Sequence, residues 1–154
     1  MNTKQVVQSQ YLSALAMLKQ AIVKCPPQVW DDPADKDRFW FIAYHTVYYA
    51  HRYLKTENKV YIRWKKPQYG KQETVMHKGQ VLEHLKTVEH EVVEHVAVMD
   101  LDGKSGYAGF LANRLELQLY NLRHIQQHAG ELYERLRPYN VKVGWVSQRN
   151  KEQK

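Results

Sequence analysis

Apolar residues recur at helical spacing in four stretches of the chain. The first stretch spans 4–24 and is followed at once by Pro26 and Pro27, which cannot continue a helix. The fourth spans 108–137 and stops before Pro138. The pattern therefore predicts a helix over each of these two ranges, with proline fixing its end.

The second and third stretches lie between them. The second, 36–55, carries aromatic residues around most of its circumference, which predicts a largely buried helix. The aspartates of the preceding QVWDDPADKD turn are suited to capping it. The third helix is expected to start between residues 74 and 80 and to end near LDGKSG. The intervening segment, 56–77, is predicted to be a loop, and loops longer than ~15 residues are often functional.

The chain shows neither β-type alternation nor an internal repeat, so the expected fold class is all-α. Four amphipathic helices with one long connection predict a four-helix bundle in a single domain, 1–154. The apolar residues of 141–146 are expected to pack back on the helices. Residues 148–154 are expected to be a frayed tail.

Composition narrows the class of protein. The 154 residues are 44% hydrophobic without low-complexity tracts, as in globular domains. No apolar run approaches the ~18 residues of a membrane span, so no membrane association is expected. Cys25 is the only cysteine, which excludes an internal disulfide and favours a reducing cytoplasm.

The net charge of +7 permits attraction to polyanions. Its largest cluster combines basic residues with aromatic ones, namely Lys55, Lys59, Arg63, Lys65, Lys66 and Lys71 with Tyr61, Trp64 and Tyr69. Such a mixture can hold nucleic acid. Solvated lysines on a structured loop give the same pattern, and we favour this second interpretation, so nucleic acid is not the expected partner.

Three histidines are the best candidates for chemistry. His124 and His128 form an H-x-x-x-H on the fourth predicted helix, and residues four apart share a helix face. His45 lies about 80 residues upstream on the second predicted helix. Three imidazoles from two helices of one bundle can bind a divalent metal ion and leave coordination positions open, as in catalytic sites. A histidine pair alone is weak evidence, because such pairs also occur without metal.

Other side chains are expected around these histidines. Glu131 and Tyr120 lie within ~40° of the pair on the helical wheel and Asn121 within ~60°, so Asn121 and Glu131 are candidate partners that orient the imidazoles. Tyr120 is expected to face substrate. On the second helix, Arg52 falls within ~60° of His45 and is a candidate for holding an anionic group. His45 is also flanked by Phe41, Tyr48 and Tyr49, which are expected to exclude water.

The segments AMLKQAIVKCPPQVWDD, FWFIAYHTVYYAHRYL and LYNLRHIQQHAGELYERLR, with the closing GWV, resemble the DinB-like (DinB/YfiT-like) superfamily of metalloenzymes over nearly the whole chain. The resemblance implies an up-down-down-up four-helix bundle, often a homodimer. It also implies one divalent ion, zinc, nickel or similar, bound by His45, His124 and His128. Related sequences often carry glutamine where this chain has Glu131, whose carboxylate is then an acceptor, a base or an exposed group.

Two classes of function follow. The leading hypothesis is a divalent-metal-dependent enzyme, either a hydrolase or an S-transferase that uses a low-molecular-weight bacterial thiol with a small-molecule substrate. The resemblance implies the thiol chemistry, and the three histidines supply the site. The alternative is a non-catalytic stress-response bundle that binds nucleic acid or another partner through the basic loop.

Overall fold

The regular structure is helical in the part of the chain that the computed structural model describes, residues 2–55, 61–71, 74–107 and 112–147. Its helices are α1 (Thr3–Lys24), α2 (Pro27–Trp30), α3 (Phe39–Leu54), α4 (Lys78–Val98) and α5 (Arg114–Leu136), followed by a 3₁₀ turn, Arg137–Tyr139. An isolated bridge joins Lys104 and Asn113, and no β-strand occurs among these residues. The predicted all-α class is confirmed.

The helix bounds follow local capping chemistry. Asn2 caps α1, since its side chain accepts a hydrogen bond from the Gln5 amide while the Gln5 side chain bonds back to the Asn2 amide. α5 starts later than the predicted residue 108, because Asn113 accepts a hydrogen bond from the Glu116 amide and so fixes the first turn. Residues 108–111 lie outside the described part of the chain.

The turn before α3 differs from the expectation. Pro26 and Pro27 start a short helix, α2, which suits proline because the first helical amide needs no partner. No aspartate caps α3, whose N-cap residue is Arg38 without a side-chain cap. Asp32 accepts a hydrogen bond from the Ala34 amide instead, so its carboxylate stabilises the turn rather than the helix.

α1 and α3 each pack against both α4 and α5. The Tyr11 hydroxyl donates to Gln118, and farther along both helices the Tyr133 hydroxyl donates to the Met17 carbonyl. α1 and α5 are therefore parallel. The Gln8 side chain donates to the Val93 carbonyl, and Lys19, farther along α1, bonds Glu89, so α4 runs opposite to α1.

α3 runs opposite to α5, which decides where its histidine lies. The Asn121 side chain donates to the Ala50 carbonyl, while Gln118, one turn earlier on α5, donates to the carbonyl of Tyr53, one turn later on α3. These amide bonds connect two buried helix surfaces and fix their register. The register brings the middle of α3 opposite the second half of α5.

The four long helices share one hydrophobic core. Its largest fully buried side chains include Tyr11, Phe39, Phe41, Leu85 and Leu132. The aromatic α3 is largely buried, as its sequence predicts.

The tail behaves in part as expected. Val141 and Val143 pack against the core, whereas Trp145 is 77% exposed, contrary to the expectation that it would pack back. The predicted frayed tail, 148–154, lies outside the described residues. Among the helices that are described, none has the length and apolar character to cross a membrane.

Candidate metal centre

The antiparallel contact between α3 and α5 brings the three predicted histidines together. His45 Nε2 lies 3.2 Å from His124 Nε2, and each of the three imidazoles has a ring nitrogen within 4.8 Å of those of the other two. The centroid of the His128 ring is 5.1 Å from that of His45 and 4.7 Å from that of His124. α3 therefore contributes one side chain and α5 two.

This arrangement fits a divalent ion. Two nitrogens about 2.05 Å from one ion, at a tetrahedral angle, are about 3.3 Å apart, close to the spacing of His45 and His124. Three imidazoles suit zinc, nickel and similar metals equally, so the donor set leaves the identity of the metal open. The geometry supports a cluster close enough to bind an ion, with three protein ligands.

The protonation of the cluster suits metal binding. Burial, with His124 and His128 nearby, lowers the pKa of His45 to about 3. Burial and the adjacent His128 lower the pKa of His124 to about 4. Both imidazoles are therefore neutral near pH 7 and have a lone pair to give to a cation.

Glu131 orients one of the three imidazoles. His128 Nδ1 donates to Glu131 Oε2 at 3.0 Å, so its Nε2 is left for the cluster. The other oxygen, Oε1, accepts from Arg135 at 3.0 Å, and Arg135 also bonds Asp35 and the backbone of Asp37. A chain of hydrogen bonds thus fixes His128 to the turn before α3. Glu131 was expected from spacing, whereas Arg135 and Asp35 were not.

Aromatic rings surround His45. The Tyr49 ring centroid is 4.7 Å from that of His45, the Tyr69 centroid 5.1 Å and the Phe41 centroid 6.2 Å. Tyr69 comes from the long loop and also contacts Phe41. Phe41 and Tyr49 were predicted from helical position. Tyr69 was not assigned to the site, because nothing in its local sequence shows where a loop residue folds.

The remaining predicted residues lie farther from the cluster. Asn121 bonds the Ala50 carbonyl of α3 rather than an imidazole. Tyr120 contacts the Tyr53 ring, which in turn contacts His124. Arg52 lies about 10 Å along the α3 axis from His45, beside Tyr107.

The other histidines of this region have different partners. His51 Nδ1 bonds Glu91 at 2.6 Å, and the His51 ring stacks on Trp64 at 4.3 Å between centroids. His84 lies on Trp64 at 4.1 Å between centroids. His51 therefore does not belong to the three-histidine cluster.

The basic loop is largely solvated where it is described. Arg63, Lys65, Lys66 and Lys71 are exposed. Lys55 at the end of α3 instead pairs with Glu91 at 2.7 Å. Lys59 lies outside the described residues.

Comparison with known protein families, with curated proteins and with solved structures finds no match for this chain. The histidine cluster and its surroundings are therefore the structural basis for a proposed function.

Proposed function

We propose that this protein is a divalent-metal-dependent enzyme of the DinB-like superfamily, in which His45, His124 and His128 bind one zinc, nickel or similar ion. One observation carries the proposal: three imidazoles from two helices have ring nitrogens within 4.8 Å of one another. The sequence resemblance selects the same three residues. The depressed pKa values of His45 and His124 add support, because neutral imidazoles bind metal ions.

The proposal includes the architecture and setting that the resemblance implies. The opposite directions of α1 and α4, of α3 and α5, and the shared direction of α1 and α5 support an up-down-down-up four-helix bundle. A homodimer is the proposed oligomeric state, which light scattering would test. A reducing cytoplasm is the proposed compartment, since the single Cys25 is a buried free thiol.

The reaction we propose joins a low-molecular-weight thiol to a small electrophile. The thiol loses its proton to solvent, its sulfur forms a bond to the electrophilic carbon, and the leaving group departs with its electron pair. A divalent ion held by His45, His124 and His128 would supply positive charge that lowers the pKa of a thiol or water bound to it. With water in place of the thiol, the same site would perform hydrolysis.

The protein's own side chains have distinct parts in this scheme. Glu131 is a positioning residue rather than a base, because His128 and Arg135 occupy both of its carboxylate oxygens. Phe41, Tyr49 and Tyr69 exclude water from the face of His45 that they cover. Arg52 and Tyr120 remain candidates for binding the end of a longer substrate that lies away from the histidine cluster.

The test compares three forms of the untagged protein: metal-loaded, chelated and His128→Ala. Elemental analysis should find about one ion per chain in the first form and little in the others. The loaded form should consume a model electrophile faster when a bacterial low-molecular-weight thiol is present, and the other two should not. His90→Ala is the matched control, because His90 is exposed on α4 and pairs only with Glu94 among the described residues.

Equal consumption by all three forms would exclude the transferase reaction. Stoichiometric metal in the His128→Ala variant would exclude the site itself.

A further inference from the structure

A small pocket lies between the first turns of α3 and the loop segment that leads into α4. Its volume is about 160 Å³. Its floor consists of Trp40, Phe41 and Tyr44, each at most 4% exposed. The Trp40 and Phe41 rings meet edge to face at 5.9 Å between centroids, which leaves an apolar surface held rigidly by the core.

Three lysines of the loop, Lys65, Lys66 and Lys71, line the same pocket. All three are exposed, and none forms an ion pair with a carboxylate in the described part of the chain. Asp31, which accepts a hydrogen bond from the Trp40 indole, also lies near the Arg38 guanidinium, so its charge is already balanced. The pocket therefore combines an apolar floor with three lysines that form no ion pair within the described residues.

The backbone that carries these lysines is attached to the pocket floor. The Tyr44 hydroxyl donates to the Lys65 carbonyl, and the buried Pro67 lies two residues farther on. On the N-terminal side, Trp64 lies between the rings of His51 and His84. The loop is thus held at three neighbouring points, residues 64, 65 and 67, which fix the backbone positions from which Lys65 and Lys66 extend.

The volume limits what can enter. A cavity of about 150 Å³ accommodates one benzene molecule. The pocket is therefore the size of a single ring or a branched aliphatic group. Lysine ammonium groups act as point charges for phosphate and carboxylate.

We propose that this pocket binds a small organic anion, one ring-sized apolar group carrying a phosphate or a carboxylate. The apolar group lies on Trp40, Phe41 and Tyr44, and the anionic group is held by Lys65, Lys66 and Lys71. The proposal is independent of the proposed function, because no histidine of the metal cluster lines the pocket. Phe41 is nevertheless shared, since its ring also contacts His45.

Four probes test the proposal by isothermal titration calorimetry on the full chain: phenyl phosphate, benzoate, inorganic phosphate and benzyl alcohol. We expect one of the two aryl anions to bind at least about tenfold more tightly than both the alcohol and inorganic phosphate. The stronger of the two then identifies the anionic group. Affinity should fall with added salt, because the lysines are exposed.

Two variants place the binding in the pocket. Lys65→Gln/Lys66→Gln should weaken binding about tenfold or more, whereas Lys86→Gln/Lys142→Gln removes the same charge from exposed positions elsewhere and should not. Val75 lines the pocket and is 38% exposed, so the larger side chain of Val75→Trp should block the pocket. The floor residues Trp40, Phe41 and Tyr44 are unchanged in this variant.

Binding must also survive His128→Ala, because an anion bound only at the metal would be lost there. Loss of binding in His128→Ala, or equal weakening by the two lysine pairs, would overturn the proposal. Equal affinity for benzyl alcohol and both aryl anions would overturn it as well.

Discussion

His45 Nε2 lies 3.2 Å from His124 Nε2, although 79 residues separate them in the sequence. At this distance the N–H of one neutral imidazole donates a hydrogen bond to the lone pair of the other. Only one of the two Nε2 atoms therefore has a lone pair. An ion bonded to both nitrogens requires both protons to be on Nδ1, and both Nδ1 atoms are buried without a partner among the described residues. Metal binding would therefore require one of the two histidines to change its tautomer.

Removal of Glu131 should weaken metal binding without removing a ligand. Loss of a hydrogen-bond partner of a metal-ligating histidine typically lowers affinity about 10- to 100-fold. We expect a loss of this size for Glu131→Ala in a competition titration with a metallochromic dye. Glu131→Gln should recover part of it, because the amide keeps an acceptor for His128. Glu134→Ala is the control, since Glu134 pairs with Arg137 on the surface; an equal loss there would contradict the role of Glu131.

Chelation should lower the thermal midpoint. A ligand that binds only the folded state stabilises it by about 2.7 kcal/mol at a hundredfold excess over Kd. In a chain of this size each kcal/mol corresponds to about 2–4 °C. Differential scanning calorimetry of loaded and chelated protein should show a fall of about 5–10 °C. His124→Ala should show no further fall on chelation, and a fall as large as that of the unchanged protein would separate the stabilising ion from this cluster.

The metal-free protein should lose stability as pH falls below about 6.5. The folded-state pKa values of His45 and His124 lie at about 3 and about 4, below their ordinary value, so the unfolded chain takes up protons that the folded chain does not. The contribution of these two histidines to the free energy of unfolding is therefore greatest above pH 6.5 and declines toward pH 4. Each histidine contributes at most about 1.4 kcal/mol per pH unit.

Urea unfolding at several pH values would measure this slope. His45→Gln should reduce the slope, whereas His90→Gln, at an exposed position, should leave it unchanged. The same slope in all three proteins would contradict the assignment.

Tyr11→Phe should destabilise the protein although it removes one oxygen only. The Tyr11 hydroxyl is fully buried and donates to Gln118 Oε1 at 2.6 Å. Its loss leaves a buried acceptor without a partner, at a cost of about 1–3 kcal/mol. Chemical denaturation should show this loss. Tyr133→Phe, whose hydroxyl bonds the Met17 carbonyl in a half-buried position, should cost less.

The centre of the site could be predicted because helical periodicity carries that information. Spacing alone places His124, His128 and Glu131 on one face of α5, and the structure keeps them together. The surrounding groups depend on long-range folding instead. Arg135 bonds Asp35, which is 100 residues away, and Tyr69 reaches His45 from a loop. No local pattern determines either contact.

The helix bounds, too, could be predicted from the sequence only in part. Pro26 and Pro27 correctly predicted where α1 ends. The sequence pattern did not predict that the same prolines also start α2. Trp145 was expected to pack back but is exposed, because an apolar residue in an irregular tail has no periodicity that assigns it to a face.

The division of the three histidines between α3 and α5 has a consequence for biosynthesis. α3 is translated before α4 and α5, so His45 leaves the ribosome well before His124 and His128. The three-histidine cluster can form only after residue 128 has emerged and α5 has packed on α3. A translation product that ends before residue 124 therefore has only His45 of the three histidines and leaves uncovered the surface of α3 that packs on α5, so we expect it to be degraded more readily than the full chain.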